Sequence, residues 1–138
     1  MDDIVKIYCD GGARGNPGPA ASAFVVEKNG KVIHKAAKYF GELTNNQAEY
    51  RAAILGLSWL SKNQILNAES IFIVMDSELV AKQLSGLFKI KNEELRNLYF
   101  TAKNIEKKIQ SNIYYQSVPR TKNKIADFLV NKVLDENS

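Results

Sequence analysis

The sequence predicts an α/β protein in which a five-stranded mixed sheet is flanked by helices, in the order βββαβααβα. The N-terminal third alternates apolar and polar residues around an Asn-Gly pair, as antiparallel strands joined by a hairpin do. The apolar run SIFIVM is typical of a central strand, and the remaining stretches repeat their apolar residues at helical spacing. Because 138 residues suffice for one core, residues 1–138 are predicted to form a single domain.

Three strands are predicted at the N-terminus. The first runs from Ile4 to Asp10 and leads into GGARGNPGP, whose glycines and prolines favour a tight, irregular loop. The segment AASAFVVEKNGKVIHKAAKYF then predicts two strands around a turn at Lys28, Asn29 and Gly30, because Asn-Gly accepts positive φ angles. The second and third strands are therefore expected to be antiparallel neighbours.

Four helices and two strands are predicted in the rest of the chain. The first helix begins at Thr44 or Asn45, which are capping residue types, and SIFIVM is followed by the short helix DSELVAKQLSG. A longer helix is predicted from Glu93 to Ile109, NIYYQSV is the last strand, and NKIADFLVNKVL is the closing helix. The apolar face of the first helix is expected to consist of Ala48, Ala52, Leu55 and Trp59.

Composition excludes several classes of protein. The single cysteine, Cys9, excludes an intramolecular disulfide and a cysteine-based zinc site, so it is expected to pack in the core. The start MDDIVKIYCD resembles neither a signal peptide nor a membrane span, which predicts a soluble, cytoplasmic protein without a membrane partner. The net charge of +4 favours a polyanionic partner such as nucleic acid, although lysine-rich surfaces are also common without one.

Four acidic residues lie where the predicted elements meet: Asp10, Glu49, Asp76 and Asp127. Two of them close predicted strands and two lie about one turn into helices, so they are expected to converge at one edge of the sheet. Two carboxylates ~4 Å apart repel by about 4 kcal/mol at an effective dielectric of ~20, which makes such a cluster unfavourable without cations. The pattern therefore predicts a site for two hard divalent cations such as Mg²⁺.

The motifs that carry these acids, DGGARGNPGP, TNNQAEYRAAILGL, VMDS and VPRTKNKIAD, resemble those of type 1 ribonuclease H in order and spacing. The resemblance implies the ribonuclease H fold and hydrolysis of the RNA strand of an RNA/DNA hybrid, leaving 5′-phosphate and 3′-hydroxyl ends. It also implies that the four acids are catalytic residues that hold two Mg²⁺ ions, for which Mn²⁺ can substitute. No small-molecule cofactor is expected, and a monomer is the default expectation.

The same resemblance implies contacts with the hybrid. Short amide side chains and exposed backbone groups suit the wide, shallow minor groove of an A-form-like duplex, and Thr44 matches a residue that grips a phosphate of the DNA strand. Arg120, Lys122 and Asn123 either contact the scissile phosphate or hold their loop, and Asn123 matches the family best. The expected substrate-binding residues are Gly11, Gly12, Asn16, Thr44, Asn45, Asn46 and Asn123.

The chain departs from the family pattern at three places. Glu42 stands where an arginine often assists Thr44, and the loop PRTKNK lacks the histidine that many members carry before the last acid. The segment SGLFKIKNEE is too short for the basic handle of some members. The only histidine, His34, falls in the third predicted strand, away from the acids, and is expected to be a strand residue.

Two other classes of function stay open at this point. One is a strand-transferase or nuclease core of the same superfold acting on duplex DNA, although such proteins usually need appended DNA-binding domains. The other is a non-catalytic hybrid-binding module, although four converging carboxylates would repel a polyanion without metal. The larger aromatic residues are predicted to lie in the core rather than to stack on bases: Phe24, Trp59, Phe72, Phe100 and Phe128.

Overall fold

The computed structural model describes residues 3–63 and 68–138. The element order predicted from the sequence is confirmed. The strands are β1 (Val5–Ala13), β2 (Gly18–Lys28), β3 (Lys31–Leu43), β4 (Ser70–Met75) and β5 (Asn112–Ser117). The α-helices are α1 (Asn45–Lys62), α2 (Glu78–Leu84), α3 (Glu93–Glu106) and α4 (Lys124–Glu136), and a 3₁₀ turn spans Arg120–Lys122. None of the described helices is long and apolar enough to cross a membrane.

The five strands form one mixed sheet in the order β3-β2-β1-β4-β5. β2 is antiparallel to both β1 and β3, whereas β4 is parallel to both β1 and β5. The register pairs Tyr8 of β1 with Val74 of β4. Two residues further on, this register brings Asp10 level with Asp76, so the carboxyl ends of two parallel neighbours meet at one edge.

The β2–β3 hairpin turns at the Asn-Gly pair that predicted it. Asn29 has a φ of 52° and Gly30 a φ of 83°, which are the positive angles of a type I′ turn. The turn is tied to the start of β1, because the Ile4 backbone N–H donates to the Asn29 side chain and the Asn29 backbone N–H donates to the Ile4 carbonyl, both at 2.8 Å.

The two faces of the sheet are covered unequally. Helices α1, α2 and α3 pack on one face, where Val5, Ile7 and Cys9 of β1 join the main core. Buried Cys9 confirms the packing role expected for it. Helix α4 packs on the opposite face, where Val130 contacts the alanines of β2. β1 is thus covered on both faces and carries the edge from which Asp10 projects.

Some predicted boundaries were wrong. β1 continues through Gly11 and Gly12 to Ala13, because β2 keeps pairing with it as far as Ala20. Helix α3 ends at Glu106, one turn short of the predicted end. His34 is a strand residue as expected, and its ring stacks on Trp59 at 5.0 Å.

The core positions predicted for Phe100 and Phe128 were also wrong, since these side chains are 58% and 65% exposed. Each lies two residues beyond a buried residue of its helix, Leu98 in α3 and Ala126 in α4. Two residues correspond to about 200° around a helix, so both rings point away from the sheet.

Candidate active site

Three carboxylates meet at the sheet edge, from Asp10 at the edge of β1, Glu49 in α1 and Asp76 after β4. Each offers an oxygen atom, and these atoms all lie within 4.8 Å of one another. Asp10 and Glu49 are buried, and Asp76 is half-buried. The separation is short enough for one cation to contact all three side chains.

Helix α1 delivers Glu49 because its N-terminus is fixed at Thr44. The Thr44 hydroxyl accepts from the Gln47 backbone N–H at 3.1 Å, and the Gln47 side chain accepts from the Thr44 N–H at 2.8 Å, which forms a capping box. The helix also lies directly against the sheet, since the Ser22 hydroxyl donates to the Ala48 carbonyl at 2.6 Å. Cap and contact together place Glu49 over the end of β1.

Gly11 allows this close approach. A Cβ atom at Gly11 would lie only 2.1 Å from the Ala48 carbonyl oxygen, a distance that no side chain can tolerate. A Cβ atom at Gly12 would make an ordinary contact of 3.8 Å with Val130. The glycine next to Asp10 therefore permits the backbone of α1 to bring Glu49 beside that aspartate.

Asp127 is half-buried in the first turn of α4 and faces the same crevice, which has a volume of about 440 Å³. It lies outside the group of three carboxylates within 4.8 Å of one another. The Asn131 amide donates to the Asp127 side chain at 3.4 Å and to its carbonyl at 3.0 Å, which orients it. The four predicted acids thus line one crevice, three closely grouped and one to the side.

Burial and mutual repulsion perturb the group. Burial, followed by the charges of Asp76 and Asp127, raises the pKa of Asp10 to about 7. Burial, then Asp10 and Asp76, raises the pKa of Glu49 well above its ordinary value. The buried Oε2 atom of Glu49 has no hydrogen-bond partner. An orphaned carboxylate oxygen among crowded acids fits a hard cation, which would supply the missing partner.

Arg120 places a positive charge beside these acids. Its Nε donates to Asp76 Oδ2 at 3.2 Å, and its charge lowers the pKa of Asp10. The Arg120 side chain is 77% exposed, so this pair is screened by water and only partly offsets the repulsion.

The expected substrate-binding residues fall into three groups. Gly11, Gly12, Asn45 and Asn46 line the carboxylate crevice. Asn16 does not line it and instead fixes the loop, because its Oδ1 accepts from the Asn45 N–H at 3.0 Å. The Asn45 Oδ1 in turn accepts from the Ala13 N–H at 2.9 Å, which ties the end of β1 to the start of α1.

A neighbouring polar pocket of about 270 Å³ contains Asn16 and Thr44. It shares Asn46 with the carboxylate crevice, so the two concavities lie side by side. Asn92, the N-cap of α3, also lines it, and sequence reasoning missed this residue. The capping signal was visible, since Asn92 precedes two glutamates and an apolar run.

Asn123 lies apart from the other expected substrate-binding residues. Its side chain is only 2% exposed, and its Nδ2 donates to the Cys9 carbonyl at 2.7 Å. Of the two roles considered for this loop, its contacts support holding the loop rather than binding substrate. The bond fixes the start of α4 to β1 and thereby positions Asp127.

We expect Asn123→Ala to lower the free energy of unfolding by about 1–3 kcal/mol, because the buried Cys9 carbonyl loses its side-chain donor. Urea denaturation measures the change. Asn104→Ala, at an exposed position of α3, is the matched control and should be nearly neutral. Equal stability of the two variants would contradict the role assigned to Asn123.

Comparisons with known proteins agree with this architecture. A family model described as reverse transcriptase-like matches residues 8–133. A bifunctional protein of Mycobacterium tuberculosis is 41% identical over 133 residues, 95% of this chain and 35% of that protein. The ribonuclease HI of Halobacterium salinarum is 36% identical over 133 residues, 96% of this chain and 65% of that protein.

Among solved structures, LC11-RNase H1 in complex with an RNA/DNA hybrid matches with a TM-score of 0.90 and 38% identity, over 96% of this chain and 98% of that one. The chain spans only about a third (35%) of the length of the first curated relatives it matches.

Proposed function

Because the chain belongs to the type 1 ribonuclease H family and its sheet has that family's fold, we propose that it hydrolyses the RNA strand of RNA/DNA hybrids. The products would carry 5′-phosphate and 3′-hydroxyl ends. The observation that supports this most directly is the group of three carboxylates within 4.8 Å, with Asp127 in the same crevice. The hybrid bound in the LC11-RNase H1 structure supports the substrate class.

Each acid has a proposed role in holding two Mg²⁺ ions, for which Mn²⁺ can substitute. When bound, such a pair activates the attacking water and stabilises the leaving 3′ oxygen. Asp10, one of the three grouped carboxylates, would be the ligand common to both positions. Glu49 and Asp76 would serve the leaving-group side, and Asp127, which stands apart from the three, would serve the water side. No covalent enzyme intermediate is required.

The polar residues beside the acids are proposed to bind the hybrid. Gly11 and Gly12 line the crevice through their backbone, which the RNA strand would approach. Asn45 and Asn46 line the same crevice, and their side chains would contact the minor groove that presents the 2′-hydroxyl groups. In the adjoining pocket, Thr44 would contact a phosphate of the DNA strand.

The decisive experiment is cleavage of a labelled RNA/DNA hybrid with Mg²⁺, with Mn²⁺ and with EDTA. Single-stranded RNA, double-stranded RNA and double-stranded DNA are the controls. Metal-dependent cutting of only the RNA strand of the hybrid is the expected result. Cutting of duplex DNA would favour the strand-transferase or nuclease alternative, and binding without cutting would favour the hybrid-binding module.

The raised pKa of Asp10 predicts that metal affinity depends on pH. Below about pH 7 Asp10 is increasingly protonated, and a protonated carboxyl must lose its proton before it can bind a cation. We expect Mg²⁺ affinity to rise from pH 6 to pH 8, by up to about tenfold per pH unit on the acid side. Calorimetry in two buffers of different ionisation enthalpy measures affinity and proton release. A constant affinity without proton release would contradict this assignment.

We further propose that residues 1–138 act as a monomeric domain in the cytoplasm. Analytical ultracentrifugation of the purified chain tests the first part. A dimer at micromolar concentration would overturn it.

A further inference from the structure

A polar cleft of about 330 Å³ lies between α1 and α3, outside the carboxylate crevice. Gln47 and Arg51 line it from α1, and Glu94, Asn97 and Thr101 line it from α3. Five hydrogen-bonding side chains converge there, although none of them takes part in the proposed chemistry. Leu43 and Leu98 complete its lining, so the cleft offers polar groups beside an apolar wall.

Arg51 is the unusual residue in this cleft. Its Nε is buried and has no hydrogen-bond partner. Within the described ranges, 3–63 and 68–138, no carboxylate forms an ion pair with its guanidinium. A buried donor without a partner costs about 1–3 kcal/mol, so its retention calls for a ligand.

The aromatic ring of Phe40 fixes the position of this guanidinium. The Arg51 Cζ lies 5.6 Å from the centre of the Phe40 ring, and Lys38 Nζ lies 5.2 Å from the same centre. The acid in the cleft, Glu94, accepts a hydrogen bond from the Gln47 side chain. The cleft thus presents a planar cation held in place, with a second cation on the ring beside it.

The cleft continues the path proposed for the hybrid. It shares Gln47 and Glu94 with the pocket at Thr44, and that pocket shares Asn46 with the carboxylate crevice. Arg51 lies one helical turn beyond Gln47, about 6 Å further along α1. Arg51 therefore lies about one helical turn from the residues that the cleft shares with the Thr44 pocket.

We propose that Arg51 binds a backbone phosphate of the DNA strand, next to the phosphate in the Thr44 pocket. The guanidinium offers paired N–H donors in the geometry that phosphate oxygens accept, and its terminal nitrogens would make this contact. This inference rests on the proposed function.

The experiment measures hybrid affinity as a function of salt, in an Asp10→Asn background so that the substrate stays intact. Arg51→Gln should weaken binding about tenfold and lower the slope of log affinity against log salt concentration by about one. Arg51→Lys, which keeps the charge, should retain the slope. Lys31→Gln is the matched control, because Lys31 begins β3 and lies at the opposite end of that strand from Leu43.

Single uncharged methylphosphonate linkages, placed along the DNA strand or the RNA strand, identify the contacted phosphate. A methylphosphonate at one position of the DNA strand should weaken binding to the protein that keeps Arg51. The same substitution should leave binding to Arg51→Gln unchanged. A sensitive position in the RNA strand instead would overturn the assignment to DNA.

A role of Arg51 in folding alone would change thermal stability and leave the salt slope unaltered, which would also overturn the proposal. Failure of the proposed function would be recognised by a different result. In that case the unmodified protein cuts no hybrid, whatever Arg51→Gln does to binding.

Discussion

Asp10→Asn is expected to abolish cleavage of the hybrid while leaving the fold intact. Asp10 belongs to the group of carboxylates within 4.8 Å and is the proposed ligand of both ions, so its loss removes charge from both positions. Replacing a residue that only hydrogen-bonds to a metal ligand already lowers activity by about 10–100-fold. Replacing a ligand that both ions share should therefore lower activity by more than about 100-fold. Initial rates on a labelled hybrid at saturating Mg²⁺ measure the effect.

The same substitution should stabilise the metal-free protein at pH 8. The pKa of Asp10 is about 7 in the folded protein against an ordinary value of 3.8, so the folded state binds this proton more tightly than the unfolded chain does. The associated stability is present below about pH 4 and is lost as pH rises to about 7. At pH 8 the ionised carboxylate lowers the free energy of unfolding by on the order of a few kcal/mol. The neutral asparagine side chain avoids this loss.

Urea denaturation of both proteins in EDTA, at pH 4 and pH 8, tests this sign. The free energies of unfolding of the two proteins should differ at pH 8 and be equal at pH 4. Glu136→Gln, which neutralises an exposed acid at the end of α4, is the matched control and should change neither stability nor activity. A fully active Asp10→Asn protein would contradict the site, and equal stabilities at pH 8 would contradict the electrostatic argument.

Gly11→Ala is expected to cause the largest loss of stability among single methyl additions at the site. The new Cβ would lie 2.1 Å from the Ala48 carbonyl oxygen and 2.6 Å from the Glu49 backbone nitrogen, and both are main-chain atoms that cannot rotate away. Overpacking in a core usually costs about 1–3 kcal/mol, and a backbone clash should reach or exceed that upper value. Helix α1 would have to move, taking Glu49 away from Asp10.

Gly12→Ala is the matched control for stability, because its Cβ would meet only a Val130 methyl at 3.8 Å. Thermal unfolding should separate the two variants, with Gly11→Ala well below Gly12→Ala. Similar unfolding temperatures would show that α1 does not lie as close to β1 as described. Mg²⁺ affinity should fall in Gly11→Ala as well, since the substitution disrupts the spacing of two proposed ligands.

Local pattern was sufficient to predict much of the fold. The Asn-Gly pair predicted the β2–β3 turn, and the apolar run SIFIVM predicted β4, because both signals depend on residues close together in sequence. The placement of Asp10 and Asp76 at one edge followed from the rule that parallel neighbours end together. The resemblance to a family added the catalytic role expected for the four acids.

Features that depend on contacts between distant elements could not be predicted in this way. Gly11 was expected to contact substrate. Only the distance to Ala48 shows that its missing side chain also lets helix α1 pack against β1. The burial of Asn123 depends on a bond to Cys9, far away in the chain. Phe100 and Phe128 were assigned by residue type, whereas the narrow buried faces of α3 and α4 leave them exposed.

The four acids come from β1, α1, α4 and the turn after β4, which are far apart in the sequence. Such long-range contacts require large loops to close, so we expect the complete crevice to form late in folding. A cation held there would therefore act after the rate-limiting step. It would lengthen the lifetime of the native protein by slowing unfolding, while the rate of refolding stayed nearly the same.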